Sequence, residues 1–133
     1  MKKTTFFFLR LPMALSLLGH GLIRLPKLQG FSTWMADFMQ ASYLPEFLIT
    51  IFSYSVPFIE LITGLLLLAG IFTRVTLYLS LTLMALFIFG NTTIENWEAI
   101  TSELLHAAYL GGLLICLERY NLKDLELFNL REK

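Results

Sequence analysis

Cysteine is nearly absent from this chain, and several catalytic motifs are missing altogether. The 133 residues include one cysteine, Cys116, which excludes an intramolecular disulfide, a CxxC redox pair and a cysteine metal site. We interpret Cys116 as a small packed hydrophobe, the usual environment of a free cysteine. The sequence has no HExxH segment, glycine-rich phosphate loop or Ser/His/Asp set, so no local motif indicates hydrolysis or nucleotide use.

Net charge and long polar tracts are lacking too. Ten basic residues balance ten acidic ones, which argues against nucleic acid as a partner because such binding needs a basic surface. No hydrophilic stretch is long enough to fold separately, so residues 1–133 are predicted to form one domain. The chain is instead rich in apolar sequence, with 56% hydrophobic residues and a mean hydropathy of +0.69. This composition predicts an integral membrane protein in contact with a lipid bilayer.

The apolar run of residues 47–70 contains a single charge, Glu60. A hydrocarbon core of about 30 Å requires about 20 helical residues, so this run is long enough to span it. Counting from either end places Glu60 near the middle of the membrane, where a carboxylate needs a partner or a proton. Ser53, Pro57 and Gly64 share its helix face, which is therefore predicted to point toward protein.

Three further spans complete a predicted all-α integral membrane four-helix bundle. Their expected limits are about residues 5–23, 75–90 and 103–117. Residues 30–41, between the first two spans, have the apolar periodicity of an amphipathic helix lying in the interface or capping the bundle. Its apolar stripe is interpreted as packing against lipid or the bundle rather than as a cofactor-binding face, and consists of Phe31, Trp34, Met35, Phe38 and Met39.

The basic residues predict the orientation, because Lys and Arg in short loops stay on the cytoplasmic side. One side of a four-span arrangement would hold Lys2, Lys3, Arg74, Arg119, Lys123, Arg131 and Lys133. The opposite side would hold Arg24 and Lys27. We therefore expect a multi-pass protein of the bacterial inner membrane with both termini and a tail of residues 118–133 in the cytoplasm. The acidic connection around Glu95 would lie outside.

Two charged residues within the first two predicted spans form the first candidate site. Arg10 and Glu60 are expected at heights that an arginine side chain can bridge, which favours an ion pair between the first two spans. In the alternative, Arg10 reaches the inner headgroups while a protonated Glu60 bonds a carbonyl freed by Pro57.

The outer side of the bundle holds the second candidate site. Ser16, His20, Arg24 and Lys27 share a helix face, which is either a polar pocket entrance or only a helix leaving the bilayer. His20 and His106 have the chemistry to bind a metal or haem iron or to accept quinol protons. No ligand-spaced motif surrounds either histidine, so no metal site is predicted, and an interfacial or core role is the more ordinary interpretation.

Three segments have an unusual pattern: GHGLIRLPK at residues 19–27, E-x3-GLLLL-x-G at residues 60–70, and Thr73-Arg74. Together they resemble the DoxX-like family (DoxX/DoxD) of small four-span membrane proteins, over about residues 9–117. The matched polar positions are Glu60, Arg74, His20 and Lys27. The resemblance implies association with quinol oxidation and related redox systems and supplies no catalytic residues. The chain lacks the cysteines of thiol-active relatives such as the MauE-like proteins, which excludes disulfide exchange.

Two functions are compatible with these observations. The first is an accessory or anchoring subunit of a larger quinone-linked membrane redox complex, not an enzyme on its own, with quinone as the implied cofactor. The alternative is a homo-oligomer that binds or transports a small solute or lipid and self-associates through Gly111 and Gly112. The candidate polar network or pocket comprises Glu60, Arg10, His20, Arg24, Lys27, Arg74 and His106.

Overall fold

The computed structural model describes residues 1–120 and 122, and the regular structure within them is entirely helical. In chain order the α-helices are α1 (Lys3–Arg24), α2 (Leu28–Phe38), α3 (Glu46–Ala69), α4 (Thr73–Thr93) and α5 (Trp97–Arg119). A single 3-10 turn, Leu25–Lys27, joins α1 to α2. The all-α prediction is confirmed. The surface helix expected in the tail lies outside the described residues.

Within the described residues, four helical stretches are long and apolar enough to cross a membrane. They are Lys3–Phe38, which joins α1 and α2, followed by α3, α4 and α5. Large apolar side chains such as Phe47 and Leu105 are more than half exposed, which suits contact with lipid. The chain is therefore a multi-pass membrane protein.

Two glycines bring α1 and α3 into close antiparallel contact. A Cβ atom at Gly21 would lie 2.6 Å from the backbone nitrogen of Leu61, and one at Gly64 would overlap the backbone of Leu18. Only glycine allows so close an approach of two helices. The contacts fix the register, since residues 18 and 21 of α1 lie opposite residues 64 and 61 of α3.

Helix α2 continues this antiparallel packing along the first half of α3. The hydroxyl oxygens of Ser32 and Ser53 are 2.7 Å apart in a buried hydrogen bond between the two helices. The amphipathic helix expected over residues 30–41 is thus present as Leu28–Phe38, and it extends the line of α1 beside α3. The turn at Pro26 interrupts the helical pattern without reversing the chain.

Helices α4 and α5 are longer than their apolar sequences suggest. The polar segment 91–103, expected as an acidic connection, is mostly helical, and the residues between the helices are Ile94–Asn96. The Asn96 side chain caps α5 by accepting a hydrogen bond from the Ala99 amide at 3.4 Å. Hydropathy placed these helix ends wrongly because capping and side-chain hydrogen bonds sustain the helices beyond the apolar run.

Gly111 and Gly112, which the sequence suggested as a face for self-association, do not form a close helix crossing within the described part of the chain. Apart from chain neighbours and the adjoining backbone of α5, no heavy atom of the described residues lies within 4 Å of a Cβ built at either glycine. Helix α5 instead meets α1 through Tyr109, whose hydroxyl donates to the Leu9 carbonyl at 2.6 Å. Cys116 is half-buried against the apolar core, in agreement with its interpretation as a packed hydrophobe.

Candidate functional site

A cleft of about 790 Å³ lies between the α1–α2–α3 layer and the α4–α5 pair. Its volume is within the range of about 300–1,000 Å³ that is typical of small-molecule sites. The walls are largely apolar, and their aromatic members are Phe31, Trp34, Phe38, Phe52, Phe87 and Phe89. Polar groups project into this apolar space from α1, α3, α4 and α5.

The first polar group is an ion pair between α1 and α3. Nη1 of Arg24 lies 2.7 Å from both carboxylate oxygens of Glu60. Glu60 is only 3% exposed, and the Arg24 guanidinium lies over the Phe31 ring at 4.7 Å from its centroid. This contact compensates two charges that would each be costly alone, and it uses one nitrogen of the guanidinium.

The predicted pair between Arg10 and Glu60 is wrong. The helix register set by Gly21 and Gly64 places Glu60 opposite Arg24, at the C-terminal end of α1. The Arg10 guanidinium instead lies against Gly70. Gly70 is ten residues beyond Glu60, or about 15 Å along the helix. Arg10 is 4% exposed and lies near the rings of Phe6 and Phe7, so the alternative of a side chain reaching the headgroups does not hold either.

Both histidines line the cleft and make the same local hydrogen bond. Nδ1 of His20 is 2.7 Å from the Ser16 carbonyl oxygen, and Nδ1 of His106 is 2.8 Å from that of Ser102. A carbonyl oxygen only accepts, so Nδ1 carries the proton in each bond. In the neutral ring Nε2 is then the basic nitrogen, with a lone pair available to a ligand.

A chain of side-chain amides sets the orientation of Glu103 on the opposite wall. Because the Asn96 oxygen accepts from the Ala99 amide, its Nδ2 faces the Asn91 oxygen at 3.2 Å. Asn91 Nδ2 then donates to the Phe87 carbonyl at 3.2 Å and to Glu103 Oε1 at 2.6 Å. Glu103 Oε2 is buried and has no hydrogen-bond partner among the described residues.

The structure brings together some of the residues predicted from the sequence and separates others. His20, Arg24, Glu60 and His106 line the cleft, whereas Arg10, Lys27 and Arg74 do not. Lys27 and Arg74 are exposed.

Other cleft residues were missed by sequence reasoning. Asn91 and Asn96 were assigned to a loop. Glu103 was expected as the first residue of the fourth span but was not named as a site residue, although its three-residue spacing from His106 puts the two on one helix face. The aromatic and methionine stripe of α2, interpreted as packing against lipid or the bundle, lines the cleft as well.

Comparison with known proteins identifies a family. A family model described as methylamine utilisation protein MauE matches residues 2–99, which include α1 to α4, Arg24 and Glu60. No curated protein and no solved structure matches the chain. The match supports the coarser part of the sequence resemblance, a small multi-pass membrane protein, and it corrects the separation from MauE-like proteins that the missing cysteines had suggested. The chain belongs to the MauE family of methylamine utilisation proteins.

Proposed function

We propose that this chain is an accessory membrane protein of a quinone-linked redox system and that its cleft binds the quinone. The observation that carries the proposal is the aromatic cleft into which the Arg24–Glu60 pair and two imidazoles project. A quinone is a flat apolar ring with two oxygen atoms on opposite sides and an apolar tail. Aromatic walls suit the ring and the tail, and a few polar groups suit the oxygens.

The accessory role is supported by sequence relationships of two kinds. The family name associates MauE proteins with methylamine utilisation, and the DoxX-like segments at residues 19–27 and 60–70 associate the chain with quinol-linked systems. We propose that the protein holds a quinone for a redox partner in the bacterial inner membrane. The residues of the cleft bind and orient the ring, while the partner exchanges electrons with it.

Tryptophan fluorescence provides a direct test, because the two tryptophans differ in position. Both side chains are more than half exposed, but Trp34 lines the cleft and Trp97 does not. The purified protein in detergent would be titrated with decylubiquinone, which quenches indole emission at close range. We expect saturable quenching in W97F, which retains Trp34, and weak linear quenching in W34F, which retains Trp97.

The contrary result is equal, linear quenching of both variants, as expected for a quinone dissolved in the micelle. Mass spectrometry of the same preparation addresses the alternative function. A stoichiometric phospholipid or solute that decylubiquinone does not displace would replace the quinone proposal with the lipid- or solute-binding one. A bound native quinone, or a redox protein that co-purifies in a fixed ratio, would support the accessory role.

A further inference from the structure

We infer that the cleft continues between α3 and α4 as a groove for the apolar tail of its ligand. The ligand class is then a ring that carries a long hydrocarbon chain, rather than a small tail-less solute. The inference rests on the proposed function, since it assigns a place and a direction to the tail of a quinone bound in the same cleft.

The cleft opens to the membrane between α3 and α4. Four apolar side chains, two on each helix, line the cleft there and are 46–61% exposed: Leu48, Ile51, Leu86 and Phe89. They belong to the exposed stripes of their helices, which continue outside the cleft at Ile62 on α3 and at Leu79 on α4. Residues that line a cleft and also lie on the outward stripe of a helix mark an opening toward lipid. With Ser55, these four residues form the α3–α4 mouth.

The α3–α4 mouth offers a ligand no free polar side chain among the described residues. Its one hydroxyl, that of Ser55, donates to the Ile51 carbonyl at 2.7 Å. Further in, the rings of Phe52 and Phe87 meet edge to face with centroids 5.6 Å apart, and both pack against the buried core. A hydrocarbon chain suits such a surface, whereas a ring oxygen placed there would have no hydrogen-bond partner.

The opposite side of the cleft, where α1 and α2 face α5, carries polar groups. The bundle is closed by contacts of α3 with α4 on one side and of α1 with α5 on the other. His20 and Ser102 are exposed members of the lining on the second side, and His106 lies one helical turn beyond Ser102. This asymmetry orients an amphiphilic ligand, with its ring oxygens toward the imidazoles and its tail toward the α3–α4 mouth.

The α3–α4 mouth acts on the tail through shape rather than through affinity. A tail that begins in lipid gains little free energy on this surface, because lipid is as apolar as the side chains of the mouth. The ring, however, can occupy the interior only if the chain attached to it has a way out. Closing the mouth should therefore exclude a tailed quinone and spare a tail-less one.

Tryptophan at Ile51 and at Leu86 would close the mouth from both helices. The detergent-solubilised full-length protein would be titrated calorimetrically with decylubiquinone and with ubiquinone-0, which has the same ring and no tail. We expect I51W/L86W to bind decylubiquinone about tenfold more weakly than wild type, an effect of the size that overpacking produces, and to bind ubiquinone-0 within about twofold of wild type.

The matched control is I62W/L79W. It makes the same two substitutions at similarly exposed positions of the same helices, outside the cleft lining. It should bind both quinones as wild type does. Detergent takes up the two quinones to different extents, but this difference is common to all variants and cancels in the comparison.

Photolabelling of the wild-type protein tests the same point if I51W/L86W does not fold. The probe is a ubiquinone analogue with a ten-carbon tail that ends in a diazirine. Labels on Ile51, Leu86 or Phe89 are expected. Labels on Trp34 or Ser102 instead would place the tail on the other side of the cleft and overturn the inference.

The outcomes separate the two proposals. Unchanged decylubiquinone affinity in I51W/L86W, or an equal loss of affinity for both quinones, would overturn the tail groove while leaving quinone binding by the wild type intact. Loss of a co-purified phospholipid from I51W/L86W, without loss of decylubiquinone affinity, would assign the groove to a lipid chain and also overturn the inference. Failure of the wild type to bind either quinone saturably would remove the proposed function as well.

Discussion

At the scale of single residues, the charge arrangement around Glu60 depends on which arginine lies opposite it. Glu60 is 3% exposed, and the Arg24 side chain is 27% exposed. A buried carboxylate that loses its cation is strongly unfavourable, whereas removal of both charges eliminates most of that cost. The contact is therefore expected to behave as a coupled unit.

Removing the charges singly and together measures this coupling. R24L should lower the free energy of unfolding by about 3 kcal/mol, and R24L/E60Q should lose clearly less than the sum of the two single variants. R10L/E60Q serves as the control and should be additive, because Arg10 lies by Gly70 rather than Glu60. Thermal unfolding in detergent provides the comparison. Additive losses in R24L/E60Q would contradict the ion pair.

At the scale of secondary structure, the contact between α1 and α3 decides which polar residues meet. Gly21 and Gly64 set the antiparallel register, and that register places Arg24 at Glu60. A change that separates the two helices would therefore affect both the stability of the bundle and the geometry of the cleft.

Alanine at Gly21 and at Gly19 gives a matched pair of variants on the same helix. A Cβ at Gly21 would meet the Leu61 backbone, whereas one at Gly19 has no neighbour within 4 Å. We expect G21A to lower the free energy of unfolding by about 1–3 kcal/mol through overpacking. G19A should be neutral or stabilising by up to about 1 kcal/mol, because alanine favours helix over glycine. Equal melting temperatures for the two variants would show that the helices do not cross at Gly21.

The sequence was sufficient to predict the helices but not which residues of neighbouring helices lie opposite each other. Apolar length alone indicates the membrane spans, and the spacing of Ser53, Pro57, Glu60 and Gly64 correctly predicts a buried face. The partner of Glu60 was predicted wrongly because helix register depends on a pairwise fit of surfaces. Counting residues from the membrane edges also assumed that the first span ends near Ile23, whereas α2 prolongs it beside α3.

Asn91, Asn96 and Glu103 were not named as site residues for another reason. Asn91 and Asn96 lie in a polar segment that hydropathy assigns to a loop, and Glu103 was expected only as the first residue of the fourth span. In the structure Asn96 caps the start of α5, and Asn91 donates a hydrogen bond to the carboxyl group of Glu103, which lines the cleft. Hydrogen bonds of this kind leave no periodic apolar signal in the sequence.

At the scale of the whole molecule, the direction in which the protein sits in the membrane remains a prediction. The excess of basic residues near both termini and at Arg74 predicts that both ends are cytoplasmic. The α4–α5 connection, and with it the Asn96 end of the cleft, would then face outward. A periplasmic reporter enzyme fused after Glu95 should be active in a bacterial host, whereas a fluorescent protein fused after Lys133 should be fluorescent. The opposite pattern would contradict the predicted topology.

The central claim is that a quinone occupies the cleft, and photolabelling tests it most directly. The protein would be irradiated with an azido-substituted short-chain quinone, digested and mapped by mass spectrometry, with excess decylubiquinone as competitor. We predict competitor-sensitive labels on cleft residues of α2 and α5, such as Trp34, Met35 and His106. Labels confined to outward residues such as Phe47, Leu105 and Ile115, and insensitive to the competitor, would contradict the account.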